Sequence, residues 1–187
     1  MEQLFAAFIT LGVILELFEH NRARYVAVSG KKLELYITSV ISSSIIYLLF
    51  IIAGWYATEL LPDLSAVTGF ILSLVVLTLL IVYNFLRDRR YVSAGKMIYA
   101  NFKLFMLVSV GRGILQVLTG FLMALLSVDL LWFVSSFALG VVLFGLAVIL
   151  AKGDKISIFG IAIGYIKISA FILAGILIFI NFIYGNS

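Results

Sequence analysis

The run over residues 104–128, LFMLVSVGRGILQVLTGFLMALLSV, is long enough to cross the hydrocarbon core of a bilayer, yet it carries a charge in its middle. Arg112 stands between Gly111 and Gly113, and Gln116 follows one helical turn later. An ionisable side chain at membrane depth costs roughly 3 kcal/mol or more, so it faces a partner or a cavity instead of lipid. Backbone groups in lipid must also be satisfied within their own segment, which leaves a helix as the form such a run takes.

Five further apolar runs accompany it, giving expected spans at residues 4–23, 33–58, 66–86, 104–128, 130–151 and 158–184. Hydrophobic residues make up 64% of the chain and charged residues 12%. A soluble domain is nearer half apolar and about a quarter charged. The expectation is an all-α integral membrane protein of six transmembrane helices, with residues 1–187 forming a single domain. The first run is short for a span and reaches adequate length if it continues to about Arg24, which places Glu16 inside. The N-terminus has Glu2 in place of basic residues and no small-residue cleavage site follows, so this run is read as a retained span.

Charge sets the expected orientation. Of the thirteen Lys and Arg residues, all but Arg112 and Lys167 fall in the first, third and fifth connectors or at their borders. Asn21, Arg22, Arg24, Gly30, Lys31 and Lys32 read as the first of these, and an Arg-Asp-Arg-Arg cluster opens the third at Arg87. The second and fourth connectors carry only Glu59, Asp63 and Asp129. The positive-inside rule then puts the basic connectors in the cytoplasm and both termini outside, in the plasma membrane of a prokaryote. The net charge of +4 therefore tracks topology and does not call for nucleic acid.

The chemistry available is narrow. Cysteine is absent and His20 is the only histidine, which excludes disulfides, thiol redox chemistry, bis-His haem and His-rich metal clusters within the chain. With no carboxylate pair at one depth, neither a catalytic constellation nor a cofactor site is expected.

Spans one to three and four to six have similar lengths and opposite expected orientations, the layout of a 3+3 inverted repeat. No residue identity links the halves. The layout resembles that of the small six-helix exporters of lysine and manganese, which carry acidic or broken-helix motifs in the first and fourth spans. Here those places hold Leu15-Glu-Leu-Phe-Glu-His20 and Gly111-Arg-Gly-Ile-Leu-Gln116, which depart from those motifs and argue against a divalent-cation site.

Depth ties the interior polar residues together. At a rise of about 1.5 Å per residue, Arg112 lies roughly 13 Å from Lys103 and Glu16 roughly 12 Å from Arg24, so the two are expected to pair. Lys167 and Gln116 fall near the midplane, with Ser42, Ser43 and Ser44 at similar depth. Glu19 and His20 read as nearer the interface, the histidine solvated. One acid and two bases in one slab suit a small anion. Glu16, Arg112, Gln116, Lys167 and Ser43 are thus the candidate solute-binding residues of a small secondary transporter or permease. The competing expectation is a non-catalytic membrane subunit, whose charges meet those of a larger complex. The expected partners are the lipid bilayer and a small solute or ion, with a second copy or a membrane complex as a further one.

Overall fold

A computed structural model describes residues 2–28, 33–61, 65–88, 95–150 and 156–185. Among them every element is helical: α1 (Glu2–Ala27), α2 (Leu33–Ala57), a 3-10 turn (Thr58–Leu60), α3 (Ala66–Asp88), α4 (Gly95–Ala100), α5 (Phe102–Leu125), α6 (Leu130–Leu150) and α7 (Ile156–Gly185). Six of these helices are long and apolar enough to cross a membrane. The hydroxyl residues within them do not interrupt the helices. Thr10 and Ser73 donate back to the carbonyls of Ala6 and Gly69, one turn earlier, at 2.8 Å each. Asn101 caps α5 by accepting from the amide of Lys103 at 2.9 Å, and Asp129 caps α6 by accepting from that of Leu131 at 2.7 Å. Between these two helices the chain turns through Ser127, whose φ is 53°.

Two features depart from the sequence reading. Helix α1 does not give way to a polar connector at Asn21. It runs on to Ala27, and Asn21 and Arg24 are buried within the bundle. The short helix α4 was not anticipated, and it packs on α1 and α5. Six of the connector bases, Lys31, Lys32, Arg89, Arg90, Lys152 and Lys155, lie outside the described residues.

The outer faces are apolar, with Leu107, Ile114, Leu139 and Leu143 all exposed. An apolar surface this extensive needs an apolar covering. The interior is divided along its length. Phe5, Ile9, Val13, Leu122, Phe133, Phe171 and Ile178 form an apolar core in the half of the bundle where α1 begins. The other half, towards the end of α1, contains buried Glu16, His20, Asn21, Arg24, Arg112 and Lys167.

Helix α2 makes the most extensive packing in the bundle, along α5, and α1 lies chiefly along α7 and α6. The α2–α5 contact depends on two glycines at the crossing. A Cβ on Gly54 would fall on the carbonyl of Val117, and one on Gly120 on the carbonyl of Ile51. Gly111, by contrast, has no foreign atom within 4 Å of a built Cβ. Gly120→Ala is therefore expected to cost roughly 1–3 kcal/mol through overpacking, at about 2–4 °C of melting temperature per kcal/mol for a chain of this length. Gly111→Ala should leave the melting temperature in detergent unchanged or slightly raised. Equal effects of the two substitutions would refute the close crossing.

Candidate functional site

Residues four apart on a helix share a face, and Glu16, His20 and Arg24 follow one another in that way along α1. Ser109, Arg112, Gln116 and Thr119 make the corresponding stripe on α5, and all seven side chains are buried. The helices run antiparallel, so the stripes pair in reverse order. Gln116 Nε2 donates to Glu16 Oε2 at 3.1 Å, and the Thr119 hydroxyl donates to Gln116 Oε1 at 3.0 Å, which fixes the amide's orientation. The hydroxyl of Tyr47, on α2, donates to the other carboxylate oxygen of Glu16 at 3.4 Å.

One turn along α1, His20 Nε2 meets Ser109 Oγ at 2.7 Å. The Ser109 hydroxyl also reaches the carbonyl of Phe105, one turn earlier in α5, at 2.9 Å. The ring stacks on Phe105 at 4.4 Å and meets Tyr99 edge-on at 5.5 Å. The sequence reading placed His20 in solvent near the interface, and the structure buries it completely. The reason is the continuation of α1, which turns every fourth residue inward as far as Arg24.

Arg24 closes the row. Its Nε donates to Ser39 Oγ at 3.2 Å and its Nη1 to the carbonyl of Tyr99. The guanidinium lies 5.8 Å from the centre of the Phe102 ring and 5.4 Å from that of Phe105, within range of a cation–π contact. Arg112 reaches the same tyrosine from α5, its Nη2 donating to the Tyr99 hydroxyl at 2.9 Å. The short helix α4 thus sits over the seam with Tyr99 held at both ends by arginines.

The remaining candidates lie on other sides of α1. Lys167 Nζ forms a salt bridge of 3.0 Å with Glu19 Oε2, the lysine being 0% exposed and the glutamate 23%. From the sequence, Lys167 is expected near the midplane as a solute-binding residue and Glu19 nearer the interface. The close packing of α7 on α1 brings the two together. Ser43, expected at the depth of Lys167 and Gln116 as a solute-binding residue, lies within 3.1 Å of both Asn21 Oδ1 and the carbonyl of Val40. Ser44 bonds back to Val40 within its own helix at 2.6 Å.

The structure therefore joins Glu16 to Gln116, links Arg112 through Tyr99 to Arg24, and seats Lys167 and Ser43 apart from that seam. Sequence reasoning missed Glu19, Asn21, Arg24, Tyr47, Tyr99 and Ser109 as members of the interior. The spacing of Glu16, His20 and Arg24 was the available signal for Arg24. Nothing local marked Tyr99.

A small cleft between α1, α2 and α6, lined by Asn21, Tyr36, Val40 and Phe144, has water-sized space of about 10 Å³, room for one water. Among the described residues the Tyr36 hydroxyl has no hydrogen-bond partner, and no group of three His, Asp or Glu side chains gathers to hold a metal. No family model, curated protein or solved structure matches the chain.

Removing one member of a buried ion pair strands the other, at roughly 3–5 kcal/mol. Lys167→Met should accordingly lower the thermal stability of the protein sharply, and adding Glu19→Gln should recover more than half of the loss. Strictly additive losses in this double-mutant cycle would show that Glu19 does not depend on Lys167.

Proposed function

We propose that the protein is a multi-pass membrane transporter or permease for a small anionic solute, working in the plasma membrane of a prokaryote. The observation that carries this reading is the distribution of polarity. An apolar shell encloses a seam of ionisable and amide side chains, from Glu16 and Gln116 to Arg24 and Tyr99. Ionisable side chains inside a span mark solute and ion pathways by default. The buried bases Arg24, Arg112 and Lys167 outnumber the acids Glu16 and Glu19, which favours an anion.

A 3+3 inverted repeat fits the packing. If α1, α2 and α3 correspond to α5, α6 and α7, then α2 on α5 has its counterpart in α6 on α1. Likewise α3 on α5 has its counterpart in α7 on α1. The first helix of each half then lies at the centre, the usual place for a solute site between repeats. On this reading Glu16 and Gln116 face each other across the pseudo-twofold axis, and Lys167 with Glu19 flanks them. The basic connectors and α4 lie on the cytoplasmic side and both termini lie outside. The competing reading, a membrane subunit whose charges await another chain, has less support. Glu16, Lys167 and Ser43 already find polar partners within this one.

The test is uptake of labelled small carboxylates, phosphates and inorganic anions into proteoliposomes holding the full chain alone. At least one solute should accumulate above empty vesicles, and Gln116→Leu should reduce its uptake at least tenfold while the protein stays monodisperse. A chain that moves no member of the panel, and that becomes stable only with a copurifying partner, would establish the subunit reading instead.

A further inference from the structure

We infer that Arg24 anchors an oxyanion-binding site at the junction of α1, α4 and α5, and that the carbonyl of Tyr99 occupies the anion's place in this conformation. Arg24 is 1% exposed, yet among the described residues no carboxylate forms a salt bridge with it. Its hydrogen-bond acceptors are both neutral, the Ser39 hydroxyl and the Tyr99 carbonyl, and Nη2 has no acceptor among the described residues. A guanidinium offers five N–H donors in a planar fork. Here Nε and Nη1 are engaged, which leaves the Nη2 corner for another oxygen. The Phe102 and Phe105 rings lie against the guanidinium without neutralising it.

A hydrogen bond from a cation to an anionic oxygen is roughly twice as strong as one between neutral groups. Carboxylate and phosphate oxygens both match the fork, and either would outbid the peptide carbonyl at Nη1 while also engaging Nη2. Such a ligand displaces Tyr99, and with it α4, a helix of six residues. So short a helix depends on its contacts with α1 and α5 for stability. Displacement also releases the Tyr99 hydroxyl from Arg112 and brings a second guanidinium to the opened site. An oxyanion is also the ligand class of the transport reading, and the site rests on that reading only for the movement of solute after binding.

The experiment uses the full chain in detergent, titrated with sodium phosphate, sodium acetate or sodium chloride at matched ionic strength. Thermal unfolding and amide hydrogen exchange are followed together. Phosphate or acetate should raise the melting temperature saturably, as ligand linkage requires, and chloride should not. The same oxyanion should speed exchange across residues 95–100, because binding uncovers α4 while stabilising the rest. Micelles doped with phosphatidylglycerol separate the sources: a rise there without one in free phosphate assigns the oxyanion to a lipid headgroup.

Arg24→Lys keeps the charge but loses the fork, and should weaken oxyanion binding at least tenfold. Tyr99→Ala, which loosens the cover and keeps Arg24, should tighten it, and this variant decides the matter if Arg24→Lys does not fold. Oxyanions that act no better than chloride on both the natural chain and Tyr99→Ala would overturn the site, as would unchanged binding in Arg24→Lys. Binding without solute uptake would leave the Arg24 site standing and remove the transport reading. Uptake indifferent to Arg24→Lys, in a protein that binds no oxyanion in detergent, would do the reverse.

Discussion

Ionisable and amide side chains withdrawn into this bundle have to be answered by polar partners, and α1 supplies one side of most of these contacts, to α2, α5 and α7. Glu16 with Gln116, His20 with Ser109, and Arg24 with the tyrosine that Arg112 also holds form successive rungs between antiparallel helices. Rungs made of long side chains keep the two backbones apart, and α1 and α5 make few close backbone contacts. The tight crossing that the bundle needs is supplied elsewhere, where Gly54 and Gly120 let α2 settle against α5. The polar seam and the glycine crossing are thus complementary. One spaces α5 from α1, and the other fastens it to α2.

The ends of the bundle are closed by different means. Where α1 begins, Phe5, Ile9, Phe133 and Phe171 fill the interior, and the polar groups buried there, such as Thr10 and Ser73, are hydroxyls bonded back to their own helices. At the other end, among the described residues, the short helix α4 covers the seam, held by two hydrogen bonds to Tyr99 and by its ring contacts with His20 and Phe105. Packed apolar side chains separate only with loss of many contacts at once. A short helix held by a few polar contacts exchanges them one for one with a competing ligand or with water. If the chain opens towards one side with little cost, the α4 end is that side.

Much of the fold was legible because hydropathy is a local property. Each of the six apolar runs announces its helix without reference to any other, and Glu16, Arg112, Gln116 and Lys167 stand out as polar residues within such runs. The residues misread were those at a boundary. Asn21, His20 and Arg24 lie where hydropathy falls away, and there a helix end and an inward-facing polar stripe predict the same composition. Periodicity would have separated them, since Glu16, His20 and Arg24 share a face only if the helix continues. The partnership of Lys167 with Glu19 was out of reach for another reason, because it depends on which helix packs against α7. Helix α4 carried no signal at all, being too short to have a period and held by tertiary contacts such as those of Tyr99.

The energetics of Arg24 sharpen the functional question beyond topology. A guanidinium taken from water and met, among the described residues, by neutral acceptors keeps most of its desolvation cost, whereas replacing buried charge by well-packed apolar residues is often neutral or stabilising. As a clamp for α4 alone, Arg24 is an expensive device, since Phe102, Phe105 and the ring of Tyr99 already provide an apolar surface at the same place. Lys167 shows the alternative within the same chain, a buried cation answered directly by a carboxylate. The contrast between the two is informative. A base with its own acid is complete as part of the structure, while a base met by a hydroxyl and a carbonyl has the stronger half of its interaction still to make. On the transport reading that half belongs to the solute, and the exchange of Tyr99 for an anionic oxygen at Arg24 couples ligand arrival to the opening of the bundle.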